Sequence, residues 1–222
     1  MCIGNSPLRN KRASFNGDSL CFGANFEGGY AKILAEKYNM TIQNIAVNGA
    51  TLVSGRYMDS GKPRHCICRT VKDMDPNADY IILEGGANDA SILSVKLGTL
   101  SNHYNGDYDD TTFIGALETA FFQAYRHFPG KKIGYIIVHK MTDRFNADIQ
   151  EGSFYYAALA VCKKWGIPVC DLNISLPPFR YFEEGSPLYS LRQTYVPDGW
   201  HPNQAGYEYY YADKIAAWME TL

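Results

Sequence analysis

Apolar residues fall along this chain in two rhythms. Short continuous runs mark strands: Tyr80-Ile81-Ile82-Leu83, Ile133 to Val138, the β-compatible stretch Thr41 to Val47, and the shorter Ile167-Pro168-Val169-Cys170. A run without polar alternation predicts a strand buried on both faces, as in a parallel sheet. Arg12 to Asn16 is the weakest strand candidate, since only Ala13 and Phe15 are apolar. Between the runs, apolar residues recur at helical spacing. Tyr30, Leu34 and Tyr38 make one stripe; Phe113, Leu117, Phe121, Ala124 and Phe128 a second; Phe154, Ala158, Val161 and Trp165 a third; Ala205, Tyr209, Ala212, Ile215 and Met219 a fourth. Asp109, Asp110 and Thr111 offer charge and capping at the start of the second. Alternating strand and helix predicts right-handed βαβ units, hence a parallel sheet with helices on both faces. Chemistry in such sheets collects at the carboxyl ends of the strands. The residues just after each apolar run are therefore the candidates.

Four polar pieces stand there. Gly17-Asp18-Ser19-Leu20 follows the first strand, Asn48-Gly49-Ala50-Thr51 the second and Gly85-Gly86-Ala87-Asn88-Asp89 the third. Asp198-Gly199-Trp200-His201-Pro202-Asn203 comes after the last strand and a long loop. Each piece alone reads as a turn or a local cap. All of them together, in order and at strand ends, are hard to explain as turns.

The set resembles the SGNH hydrolases, also called the GDSL esterases and lipases. Gly17-Asp18-Ser19-Leu20 matches the motif that names the family, Gly49 matches the glycine of its second block, Gly86-Ala87-Asn88-Asp89 matches Gly-x-Asn-Asp, and Asp198 to His201 matches Asp-x-x-His. The matched blocks span residues 17 to 201, nearly the whole chain. Two departures stand out: Cys21 replaces a frequent Thr, and the strand before Ser19 is poorer in apolar residues than usual. The resemblance implies one α/β domain over residues 1–222, a three-layer α/β/α fold with a flavodoxin-like parallel sheet of about five strands.

A serine hydroxyl is a poor nucleophile until a neighbouring base takes its proton. His201 is the expected base. His139, directly after the Ile133 to Val138 strand, competes with it, and the last block favours His201. Asp198 lies three residues before His201, close enough in a turn to hold the imidazole tautomer. By resemblance, Asp18 braces the nucleophile turn and Asp89 the loop carrying Asn88. The oxyanion donors implied are the backbone N–H of Ser19, the backbone N–H of Gly49 and the side-chain amide of Asn88. Glycine suits the second position because no Cβ obstructs the substrate. The expected reaction is acyl transfer through Ser19, with no metal or organic cofactor.

The motifs do not reach the substrate. The family spans carbohydrate deacetylation, lysophospholipid hydrolysis and thioester hydrolysis. No long apolar insertion offers an acyl tunnel, and aromatics make up 14% of the chain. Those in loops, around Tyr104, Tyr108, Phe179, Tyr181, Phe182, Tyr195 and Trp200, are expected near the site. An O-acetylated saccharide is the expected substrate, with Asn48, His139, Tyr181 and Trp200 as candidate contacts. Packing beneath long loops would explain the same aromatics equally well. Lysophospholipase, thioesterase, acyltransferase and an inactive carbohydrate-binding protein remain alternatives.

Composition narrows the partners. A net charge of -2 leaves no basic footprint for nucleic acid, and no apolar run approaches the roughly 18 residues of a membrane helix. Met1 to Arg12 lacks a signal peptide, which reads as a cytoplasmic chain or an exported one that has lost its leader. The six cysteines imply no disulfide framework at this length. Cys66-x-Cys68 beside His65 lacks the second ligand pair of a zinc site. Asp107, Asp109 and Asp110 lack the spacing of a calcium loop. Oligomeric state is not legible.

Overall fold

The computed structural model describes residues 6–55, 58–59, 61–146 and 153–222. Five parallel strands form the central sheet: β1 (Arg12–Asn16), β2 (Thr41–Asn44), β3 (Tyr80–Glu84), β4 (Lys132–Ile137) and β5 (Val169–Asp171). Their spatial order is β2-β1-β3-β4-β5, the doubly wound order expected.

Alternation along the strands sorts two cores. Ile81, Leu83, Tyr135 and Ile137 join the cluster that contains Leu117 and Phe121 of α3 (Phe113–His127) and Val161 of α4 (Phe154–Trp165). Phe15, Ile82 and Ile136 join the opposite cluster. There they meet Tyr30 and Leu34 of α2 (Gly29–Tyr38) and Tyr211 and Ile215 of the C-terminal helix, residues 204–219. Burial on both faces is what makes the strand sequences read as continuous apolar runs.

β1 spans the residues expected despite its polar content. It lies inside the sheet, and its buried polar side chains find hydrogen-bond partners: Ser14 donates to Gln43 at 2.5 Å, and the Asn16 amide to Thr70 Oγ1 at 3.1 Å. Hydrogen bonding lets such a strand stay central. β2 ends at Asn44, earlier than the expected Val47. There the Asn44 side chain accepts from the Ala46 N–H at 3.1 Å and donates to the Cys21 carbonyl at 2.8 Å, turning the chain away. The cap of α3 is Thr112, bonded to the Gly115 N–H, not the acidic group before it. Asp110 instead meets Arg69 at 3.0 Å and Ser54 at 2.5 Å. The fourth stripe is not one regular helix. A wide π segment, Tyr207–Ala212, separates Gln204–Gly206 from Asp213–Met219.

Candidate active site

The nucleophile turn is built where β1 runs out beside β3. Asn16 pairs with Leu83, so the next residue, Gly17, meets Glu84. A Cβ on Gly17 would lie 2.4 Å from Glu84 Oε2, so only glycine permits this approach. Asp18 then caps α1 (Ser19–Phe22): its Oδ1 accepts from the Leu20 N–H at 3.1 Å. Ser19 opens that short helix. Its N–H is one of the orphan donors of a helix start.

The opposing loop carries the base. His201 Nε2 stands 2.9 Å from Ser19 Oγ, and His201 Nδ1 stands 2.9 Å from Asp198 Oδ2. A carboxylate can only accept, so Nδ1 carries the proton and Nε2 is left to accept from the serine. Asp198 Oδ1 also accepts from the N–H groups of Trp200 and His201, both at 2.7 Å. Partial burial raises the Asp198 carboxyl, but these bonds and the His201 charge outweigh it and hold it well below the usual carboxylate range. Asn25 completes the loop. Its Nδ2 donates to Asp198 Oδ2 at 3.2 Å and to the His201 carbonyl at 3.0 Å.

The expected oxyanion donors come from separate turns. Gly49 has a φ of 73°, a conformation that favours glycine, and its carbonyl accepts from Arg64 Nη1 at 2.5 Å. Asn88 Nδ2 donates to the Ala50 carbonyl at 2.9 Å and to Asp18 Oδ2 at 3.3 Å. The second bond is long, so that hydrogen is the one free to turn to an oxyanion. Asp89 sits differently from expectation. Its carboxylate accepts from the Leu52 and Val53 N–H groups, each at 3.0 Å, and so braces the turn after Gly49. Burial pushes its pKa up to about 6 against the pull of those bonds.

Ser19, Ala87, Asn88, Ser91, Met141, Trp200 and His201 line a cavity of about 290 Å³. A second cavity, about 400 Å³, adjoins it through Ser91, Met141 and Trp200 and adds Thr142, Asp143, Arg180, Tyr181 and Glu183. Arg180 lies over the Trp200 ring at 4.7 Å, and the Tyr181 hydroxyl donates to Asp143 at 2.8 Å. Trp200 and Tyr181 thus stand where substrate contacts were expected. His139 does not. It is fully buried, with Nδ1 at 2.6 Å from the Tyr211 hydroxyl, and lines neither cavity. Asn48 is exposed beside Gly49 and also lies outside the lining. Tyr104 and Tyr108 also lie away from the expected place. They pack on Trp165 at the carboxyl end of α4, which faces the amino edge of the sheet. Phe179 and Tyr195 pack against Tyr210. A loop's length says nothing about which edge of the sheet it crosses, so these aromatics could not be placed from sequence.

The buried or supporting residues Glu84, Asn25 and Arg64 belong to no motif and escaped the sequence reading. Glu84 alone left a signal, an acid closing the otherwise apolar strand Tyr80–Glu84. Charged residues are almost never fully buried without a partner.

This fold, with a Ser-His-Asp relay at the carboxyl edge of its sheet, is that of an ester-bond hydrolase. The sequence profile of the GDSL-like lipase/acylhydrolase family matches residues 15–209, and the chain belongs to that family. Among curated proteins, no sequence matches the chain significantly. Solved structures share the fold at low identity. A Lactobacillus plantarum protein is 22% identical, with a TM-score of 0.70 over 96% of this chain and 98% of that one. A Bacteroides ovatus protein described as GDSL-like lipase is 18% identical, with a TM-score of 0.66 over 96% and 99%. A family two carbohydrate esterase from Clostridium thermocellum is 16% identical, with a TM-score of 0.60 over 96% of this chain and 64% of that one.

Proposed function

We propose that this protein is a serine esterase that removes short acyl groups, O-acetyl foremost, from a carbohydrate through an acyl-enzyme on Ser19. The observation that carries the reading is the unbroken relay from Ser19 Oγ through His201 to Asp198, each link 2.9 Å. His201 Nε2 takes the Ser19 proton as Oγ attacks the ester carbonyl. The oxyanion of the tetrahedral intermediate turns to the N–H groups of Ser19 and Gly49 and to Asn88 Nδ2. His201 then passes its proton to the departing alcohol. Water, deprotonated by the same imidazole, attacks the acyl-enzyme; its collapse releases the acid and restores Ser19.

The paired cavities support the substrate class. The acyl group falls in the cavity at Ser19, about 290 Å³. The alcohol extends into the neighbouring cavity, where Asp143, Arg180 and Glu183 offer both donors and acceptors. Two acids against one base disfavour an anionic headgroup there and suit a neutral polyol. The carbohydrate-esterase neighbour points the same way. Two assays test this. Ser19→Ala should lose p-nitrophenyl acetate hydrolysis by about 10⁴-fold or more while staying folded; full activity would end the proposed mechanism. Wild-type protein should prefer acetyl over octanoyl p-nitrophenyl esters and release acetate from acetylated sugars. A preference for octanoyl sinks the acetyl-sugar reading.

A further inference from the structure

Behind the relay lie two carboxyl groups in contact, and the acyl transfer above uses neither. Asp18 and Glu84 are each 1% exposed. Glu84 Oε2 accepts from the Asp18 N–H at 3.0 Å, directly under the residue that precedes Ser19. Gly17 lacks the Cβ that would push this carboxyl away, since that atom would sit 2.4 Å from Oε2.

We propose that Glu84 is a positioning residue: as a protonated acid it holds the Asp18–Ser19 backbone from beneath and so aims the Ser19 N–H at the oxyanion. The proposal rests on Ser19 being the nucleophile. Two buried carboxyls in contact cannot both be ionised without a large penalty, so they hold a proton between them. Their surroundings place it on Glu84. Burial raises the Asp18 carboxyl too, but it accepts from the Leu20 N–H at 3.1 Å and from Asn88 Nδ2 at 3.3 Å, and feels the positive charge of Arg64. Glu84 Oε1 has no donor among the described residues. Bare anionic oxygen would be costly there, whereas an O–H directed at the Asp18 carboxylate is satisfied. Burial first, and the Asp18 charge second, push the Glu84 carboxyl well above its ordinary range.

One consequence separates this role from simple packing. Neutral Glu84 both accepts, from the Asp18 N–H, and donates, to the Asp18 carboxylate. Glutamine can do both in the same shape; leucine can do neither; aspartate is a methylene too short to reach. Wild type, Glu84→Gln, Glu84→Leu and Glu84→Asp should be compared by p-nitrophenyl acetate kinetics and by the rate of fluorophosphonate labelling of Ser19. Glu84→Gln should keep kcat and labelling within about threefold of wild type. Glu84→Leu should lose about 100-fold in kcat with KM little changed, the cost of one misaligned oxyanion donor. Glu84→Asp should lose about 10-fold or more through misplacement alone, so the result stands even where the leucine variant fails to fold. Glu84→Gln falling as far as the shortened side chain overturns the proposal, as does full-rate labelling of Glu84→Leu or Glu84→Asp. No adduct on wild-type Ser19 would instead remove the esterase reading, and this proposal with it.

Discussion

The two halves of the relay are built in opposite ways. Ser19 sits on a turn whose supports are sealed: Asp18, Glu84 and Leu20 are each 1% exposed. His201 and Asp198 sit on a loop at the surface, with side chains 26% and 41% exposed. Deep packing places the nucleophile. The base is placed by a short ring of hydrogen bonds in which Asp198 gathers its own loop and Asn25 reaches across to it. A surface hydrogen bond has water as a competitor, and a buried one does not. The nucleophile half is therefore the rigid reference against which the base half adjusts.

That contrast can be broken in stages. The largest effect belongs to Asp198→Asn, expected to cut kcat by up to ~10⁴ because the imidazole loses its enforced tautomer. Melting temperature should barely move, since the residue is exposed; a large stability loss would mean that the loop is structural. Asn88→Ala reaches the buried half and should cost about 100- to 1000-fold in kcat. Asn25→Ala removes two bonds at the surface, one to the Asp198 carboxylate and one to the His201 carbonyl. It should cost about 10-fold in kcat, and an unchanged rate would show that Asp198 holds the loop unaided.

The smallest effect is thermodynamic. Burial, then repulsion from His201, lowers the His139 pKa to about 3 against an ordinary value of 6.5. Its folded form therefore resists a proton that the unfolded chain accepts. Stability from this group is complete above pH 6.5 and drains away as pH falls toward 3. Between pH 7.5 and 5 the loss is about 2 kcal/mol. Glutamine cannot titrate, so His139→Gln should flatten this part of the acid limb in urea melts at the two pH values. Equal slopes in both proteins would place the acid sensitivity elsewhere.

What the chain revealed beforehand divides along the same line. Buried strands announce themselves as apolar runs, and the blocks at their ends located Ser19, Asn88 and His201 together. β1 was legible only in outline, since its polar residues are stabilised by partners, Gln43 and Thr70, that no local pattern links to it. Asn25 and Arg64 act through a side-chain reach across the fold, which leaves no periodicity. The aromatic loop residues failed for a related reason. Tyr104 is drawn to Lys164 and Trp165 on the far edge, a destination set by the cation and its buried partner Glu118.

The π segment of the C-terminal helix makes the end of the chain an accessory of its beginning. The rings of Tyr207 and Tyr211 stand 5.4 Å apart on the buried side of that widened turn. One hydroxyl grips the Leu20 carbonyl beside the nucleophile at 3.0 Å, and the other grips His139 at the end of β4 at 2.6 Å. The helix is a clasp drawn across two strand ends. Loosening of this helix that runs through the clasp would slacken the nucleophile turn while the sheet is still intact. Activity would then disappear before the fold does on mild heating.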